Sequence, residues 1–199
     1  MKIFRFFTDN KSKDDALYSI KVATIPDTAL LIQKRPFFIP DFTQHCTAQP
    51  CFCVRINRLG RSIAKRFANR YYAISEVTLA VHFVASDLLN TLLTKQQPWD
   101  MAIGFDNAVA VAETKIPLLC EETLAGIKIN DDVVSAIING QQYLDLADEQ
   151  IERISEHYTL RQGDLLLLPL PIEPPIVHID NRLALTIGNS QEVLAFNIK

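Results

Sequence analysis

His45, Cys46, Cys51, Cys53 and His82 carry imidazole and thiol donors, the groups that suit Zn²⁺ or another soft metal. Their spacing says less than their chemistry. Cys51-x-Cys53 and the adjacent His45-Cys46 match no standard zinc signature, and free cysteine is among the residues most often buried as a small apolar side chain. A soft-metal site and a set of core thiols both stay open, the core being the simpler account. His82, between Val81 and Phe83, reads as a hydrogen-bonded core or cleft residue before it reads as a ligand or base. His157 and His178 have no partner recognisable in the sequence. Arg58, Arg61, Lys65, Arg66 and Arg70 read as the solvated face of a helix that could attract a small anion, and Trp99 and Phe105 as packing residues.

The elements that would hold these groups are mostly short strands. Residues 26–42 alternate apolar segments with prolines, which remove ladder donors and favour irregular β structure. Residues 51–56 form an apolar strand ended by the turn-like Asn57-Arg58-Leu59-Gly60. Ile63, Ala64, Phe67, Ala68 and Tyr71 recur at helical spacing, so residues 61–72 are predicted helical. A buried strand is predicted over 74–85. Asp87 then caps a helix over 88–95, and a loop follows over 99–107. Further strands fall at 108–112, 125–129 and 133–138, with Asn139-Gly140 as a hairpin signal. Leu146, Ile151 and Ile154 mark a helix over 145–157; strands at 165–168, 178–187 and 193–198 complete the chain.

The chain has 199 residues, 48% hydrophobic and 22% charged, with no repeat or linker, so a single domain over 1–199 is expected. The net charge of -3 is scattered rather than blocked, which argues against a nucleic-acid partner. The first ten residues break too early for a signal-peptide core, and no apolar run approaches the ~20 residues of a membrane span. Four cysteines without a signal sequence suit a reducing compartment, and the cytoplasm is the expected location.

Pro26-Asp27-Thr28-Ala29-Leu30-Leu31, Arg35-Pro36-Phe37-Phe38-Ile39-Pro40-Asp41-Phe42 and Arg55-Ile56-Asn57-Arg58-Leu59-Gly60 resemble segments of the fumarylacetoacetate hydrolase family in order and spacing. The likeness continues through residues 82–87, Pro98-Trp99, Gly104-Phe105-Asp106-Asn107, residues 159–164 and the terminal Phe196-Asn197-Ile198-Lys199, nearly the whole chain. It implies an α+β, β-rich fold, a mixed β-sandwich roll like the C-terminal domain of fumarylacetoacetate hydrolase, with a few short helices and usually a homodimer. It also implies Mg²⁺ or Mn²⁺ on carboxylates, and cleavage, isomerisation, hydration or decarboxylation of 2-oxo and diketo acids. A hard cation prefers anionic oxygen and polarises a keto-enolate, which explains such ligands.

On the positions that match, that chemistry is missing. The resemblance places the three metal carboxylates at Gln49, Cys51 and His82, and the active-site lysine at Ile103. An arginine before Asp87 is replaced by Ser86, and a Gly-Thr-Pro loop by Pro169-Leu170-Pro171, the candidate cleft wall. Near the N-terminus, Lys13 and Ala16 fall where a catalytic His and Glu are implied. Asp87 and Asp106 persist, but Asp87 is explained as a helix cap. Loss of ligands, lysine and acid/base pair together predicts a catalytically inactive homologue serving as a binding or interaction module, with no Mg²⁺ or Mn²⁺ and no membrane partner. The alternative is an active hydrolase, isomerase or decarboxylase on a 2-oxo or diketo acid with an atypical site, Zn²⁺ on Cys51 and His82 being one form of it.

Overall fold

The computed structural model describes residues 1–7, 21–32, 35–116, 122–188 and 191–199. Five strands follow the predicted apolar runs closely: β3 (Cys46–Arg55), β4 (Thr78–Ala85), β5 (Val109–Val111), β6 (Glu122–Ile129) and β7 (Asp132–Asn139). So do β8 (Leu165–Pro169), β9 (Arg182–Ile187) and β10 (Gln191–Asn197). Two more, β1 (Lys2–Phe7) and β2 (Lys21–Pro26), have no counterpart in the sequence reading. A six-stranded sheet runs β2-β1-β8-β3-β4-β5, antiparallel except for the β1–β8 pair, and a four-stranded antiparallel sheet runs β10-β9-β6-β7. The mixed, β-rich α+β architecture is therefore the one expected.

Side chains on a strand alternate between faces, and here each face of the larger sheet has its own core. Phe4, Phe6, Ala48, Phe52, Val54, Leu79, Phe83, Leu166 and Leu168 point into the main core with Ile127 and Leu185 of the smaller sheet. The long helix α4 (Gly140–His157) joins them through Leu144, Ala147, Ile151 and Ile154, a single stripe at helical spacing. Ile3, Cys51, Cys53, Ala80, Val84, Leu165 and Leu167 point the other way, into a second core under α2 (Ser86–Thr94) and α3 (Asp100–Ile103). This two-sided burial explains why runs such as Leu165 to Leu168 are continuously apolar.

Three local expectations are corrected. Asn139-Gly140 makes no hairpin: the Asn139 side chain accepts from the Gln142 amide and caps α4. The β6–β7 turn is instead Asn130-Asp131, with Asn130 at φ 55°. The helix over 61–72 shrinks to α1 (Lys65–Ala68), because Ser62 and Ile63 are tied to Ser155 of α4 and Tyr71 and Tyr72 return to pair with Asn57 and Ile56. Phe67, placed on the buried face by the pattern, is exposed beneath Arg66 and Arg70. Residues 74–76 form a 3-10 turn before β4, and α3 interrupts the loop over 99–107.

Segments that carry the family resemblance serve as joints. Asp164 is fully buried, takes the Lys2 and Arg161 amides, and pairs with the Lys2 ammonium at 2.8 Å. Gly163 before it sits at φ 93°, a conformation that glycine adopts at no steric cost. At Gly60 an added Cβ would lie 2.2 Å from Cε1 of Tyr71.

Candidate functional site

The polar residues of the second face gather where β1, β8, β3 and β4 run side by side. Gln49 of β3 pairs with His82 of β4, and Cys51 follows on the same side as Gln49, opposite Pro169 at the end of β8. The three positions that the resemblance assigns to metal ligands thus lie on one face. A residue with no sequence signal joins them: Arg5 of β1, only 4% exposed.

The Arg5 Nε–H donates to His82 Nδ1 at 3.1 Å, and its guanidinium also donates to the Phe6 carbonyl and lies over the Phe7 ring, 4.7 Å from the centroid. Arginine can only donate, so Nδ1 of His82 is the acceptor; the proton then sits on Nε2, which donates to the Ile103 carbonyl at 2.7 Å. Burial, and next the Arg5 charge, push the His82 pKa down to about 3, against the carbonyl bond that favours protonation. The ring is therefore neutral with both nitrogens committed. Burial also lowers the pKa of Arg5 and raises that of the Cys51 thiol, which the Arg5 charge partly offsets. Gln49 turns its amide nitrogen to the carbonyls of Pro50, Leu170 and Ile172, at 3.0, 3.2 and 3.5 Å.

These groups do not fit Mg²⁺ or Mn²⁺. The donors are an amide, a protonated thiol and an imidazole with no free lone pair, beside a side-chain cation that would repel a second one. The soft-metal set does not assemble either. Cys46 faces the main core, His45 is exposed, and burial raises the Cys46 and Cys53 thiols to about 12. Among the described residues no three His, Cys, Asp or Glu side chains cluster as metal ligands.

Beside Arg5 opens a cavity of about 460 Å³, lined by Arg5, Phe7, Gln49 and the strip from Pro169 to Pro174. Gln49, Pro169, Leu170 and Pro171 are among its lining residues, whereas Cys51, His82 and Ile103 are buried outside its lining. The remaining positions lie elsewhere. Ser86 meets Thr47, hydroxyl to hydroxyl, at 2.6 Å, and Asp106 is exposed. The Asp87 carboxylate takes hydrogen bonds from the Thr43 hydroxyl and the Gln44 and Leu88 amides. Burial alone would raise its pKa, yet these bonds bring it down to about 2. Asp87 therefore docks the 43–44 segment on α2, while the cap residue proper is Ala85. Trp99 packs edge-on against Phe7, and Phe105 against Phe42. Arg58, Arg61, Lys65, Arg66 and Arg70 are all exposed, as are His157 and His178. Lys13, Ala16 and Cys120 lie outside the described residues.

A six-stranded mixed sheet packed on a four-stranded one is the fold of the fumarylacetoacetate hydrolase family. Solved structures share it along the whole chain. A fumarylpyruvate hydrolase from Pseudomonas aeruginosa in complex with Mn²⁺ and pyruvate is similar with a TM-score of 0.80 and 13% identity, over 100% of this chain and 89% of that one. A 2-hydroxyhepta-2,4-diene-1,7-dioate isomerase from Mycobacterium marinum gives 0.78 and 17%, over 99% and 73%. A protein from Yersinia pestis CO92 described as of the fumarylacetoacetate hydrolase family gives 0.77 and 20%, over 100% and 92%. The sequence matches no family model and no curated protein. No helix among the described residues is long and apolar enough to cross a membrane.

Proposed function

We propose that this chain is a catalytically inactive homologue of the fumarylacetoacetate hydrolase family, a cytoplasmic homodimer that binds a ligand or partner without transforming it. One observation carries the reading: the three positions implied as metal ligands are a glutamine, a buried thiol and a histidine bonded to Arg5, so a fixed cation stands where carboxylates would hold a metal. Mn²⁺ and pyruvate belong to the Pseudomonas aeruginosa neighbour, whereas Gln49, Cys51 and His82 offer no carboxylate to such an ion here. At the two positions His82 and Ile103 no side chain is free to move a proton, since both His82 nitrogens are committed and Ile103 is a hydrocarbon. A fold shared with hydrolases and isomerases does not by itself supply activity.

The test is elemental mass spectrometry on protein offered Mg²⁺, Mn²⁺ and Zn²⁺ before desalting, followed by assay on a panel of 2-oxo and diketo acids. The expected outcome is substoichiometric metal and no turnover. Stoichiometric metal lost in Cys51→Ala or His82→Ala, or metal-dependent consumption of an acid, would support the active-enzyme alternative instead.

A further inference from the structure

The four-stranded sheet treats its two edges differently. At β10 the ladder is broken by a bulge between Glu192 and Leu194, and residues 37–39 close the far end, where the Phe37 and Ile39 amides donate to the Asn197 and Lys199 carbonyls. At β7 there is no such cover among the described residues. This strand pairs with β6 alone, without a bulge, and contains no proline and no charge after Asp132. Such an edge is a template for a further strand, which is why natural edges carry charges, prolines or bulges. The free backbone groups can be named. The Leu124 carbonyl accepts from the Gly188 amide and the Asn130 amide donates to the Arg182 carbonyl, so Leu124, Gly126 and Lys128 of β6 spend their backbone groups on β9. Their partners across the ladder, Ile137, Ser135 and Val133, therefore turn N–H and C=O to the open side. The side chains there are apolar as well: Ile137 is 62%, Val133 50%, Val134 46% and the adjoining Leu124 44% exposed.

A strand that covers this edge has to bring apolar side chains and no charge, and β7 itself does. Place Ser135 opposite Ser135 of a second copy, antiparallel, and Val133 meets Ile137 while Ile137 meets Val133. Each outward residue then finds an outward partner and exchanges two backbone hydrogen bonds with it, as an interface between identical surfaces requires. Asp131 and Asp132 fall opposite Asn139 and Ile138, so like charges do not meet. A slide of two residues is worse in either direction, because it sets Ile137 against Asp131 or carries Val133 to Asn139, where α4 begins. We infer that two copies of this chain associate through antiparallel pairing of β7 about a two-fold axis at Ser135, which joins their four-stranded sheets into one. This rests on the reading of the chain as a homodimer and names the surface that makes it.

Two kinds of variant test it beside the wild-type chain. Ser135→Cys sets one thiol of each copy directly opposite the other, at the ~5.5 Å Cα separation of a hydrogen-bonded pair, which a disulfide spans. Diamide as oxidant should therefore convert that variant to a covalent dimer on a non-reducing gel, whereas the wild-type chain and Val133→Cys, which faces Ile137 instead, should show far less. Val133→Lys combined with Ile137→Lys, both at exposed positions, sets lysine opposite lysine in two pairs and should weaken self-association at least about tenfold in a sedimentation dilution series. A wild-type dimer in which Ser135→Cys cross-links no better than the controls, or in which the lysine variant associates as tightly as the wild type, overturns the β7 pairing and leaves the homodimer reading standing. A wild-type monomer at micromolar concentration overturns both and leaves the edge to a strand of another protein.

Discussion

His82 gives up a proton that an imidazole in water would keep. Its ordinary pKa is 6.5, and in the folded chain burial and Arg5 bring it down to about 3. Between those values the unfolded chain binds a proton that the folded chain refuses, so stability falls as pH falls across that window and is fully retained above it. The slope is at most about 1.4 kcal/mol per pH unit. Urea unfolding at pH 5 and pH 7 should therefore give a lower midpoint at pH 5, and His82→Asn should reduce the difference; equal midpoints in the wild-type chain would mean that the ring is not held neutral. Gln49, Cys51 and His82 were legible as a set because they fall at matching positions in the sequence. Arg5 was not, since Ile3-Phe4-Arg5-Phe6-Phe7 contains no motif and its partner is 77 positions away.

Elements were legible where periodicity alone decides them and illegible where a distant hydrogen bond does. The apolar runs became strands, and the stripe of Leu144, Ala147, Ile151 and Ile154 became the buried face of α4. The predicted helix over 61–72 fails because Ser155 and Glu152 of α4 claim the amides of Ile63 and Lys65, contacts no local pattern encodes. Asn139-Gly140 is locally ambiguous, since asparagine starts a helix as readily as it makes a turn. Gly60 belongs to this scale as well, because Tyr71 closes over it. Gly60→Ala should destabilise the chain by about 1–3 kcal/mol through overpacking, seen as a lower melting temperature. No change in melting temperature would mean that the Tyr71 ring moves aside freely.

At the scale of the whole molecule, the β-rich α+β class was readable, while β1 and β2 were missed. Their sequences lack the turn signals that delimit the later strands, and the paired segments are separated by residues 8–20 in sequence. Light scattering on the purified protein is expected to give the mass of two copies of the 22.5 kDa chain; a monomer at micromolar concentration would remove dimerisation from the proposal. The six-stranded sheet has one further consequence. Residues adjacent along β3 report to different cores, with Ala48 and Phe52 in one and Cys51 and Cys53 in the other. A substitution at one set of alternate positions can therefore reshape the face that carries Arg5 and His82 while leaving the contacts with the smaller sheet intact.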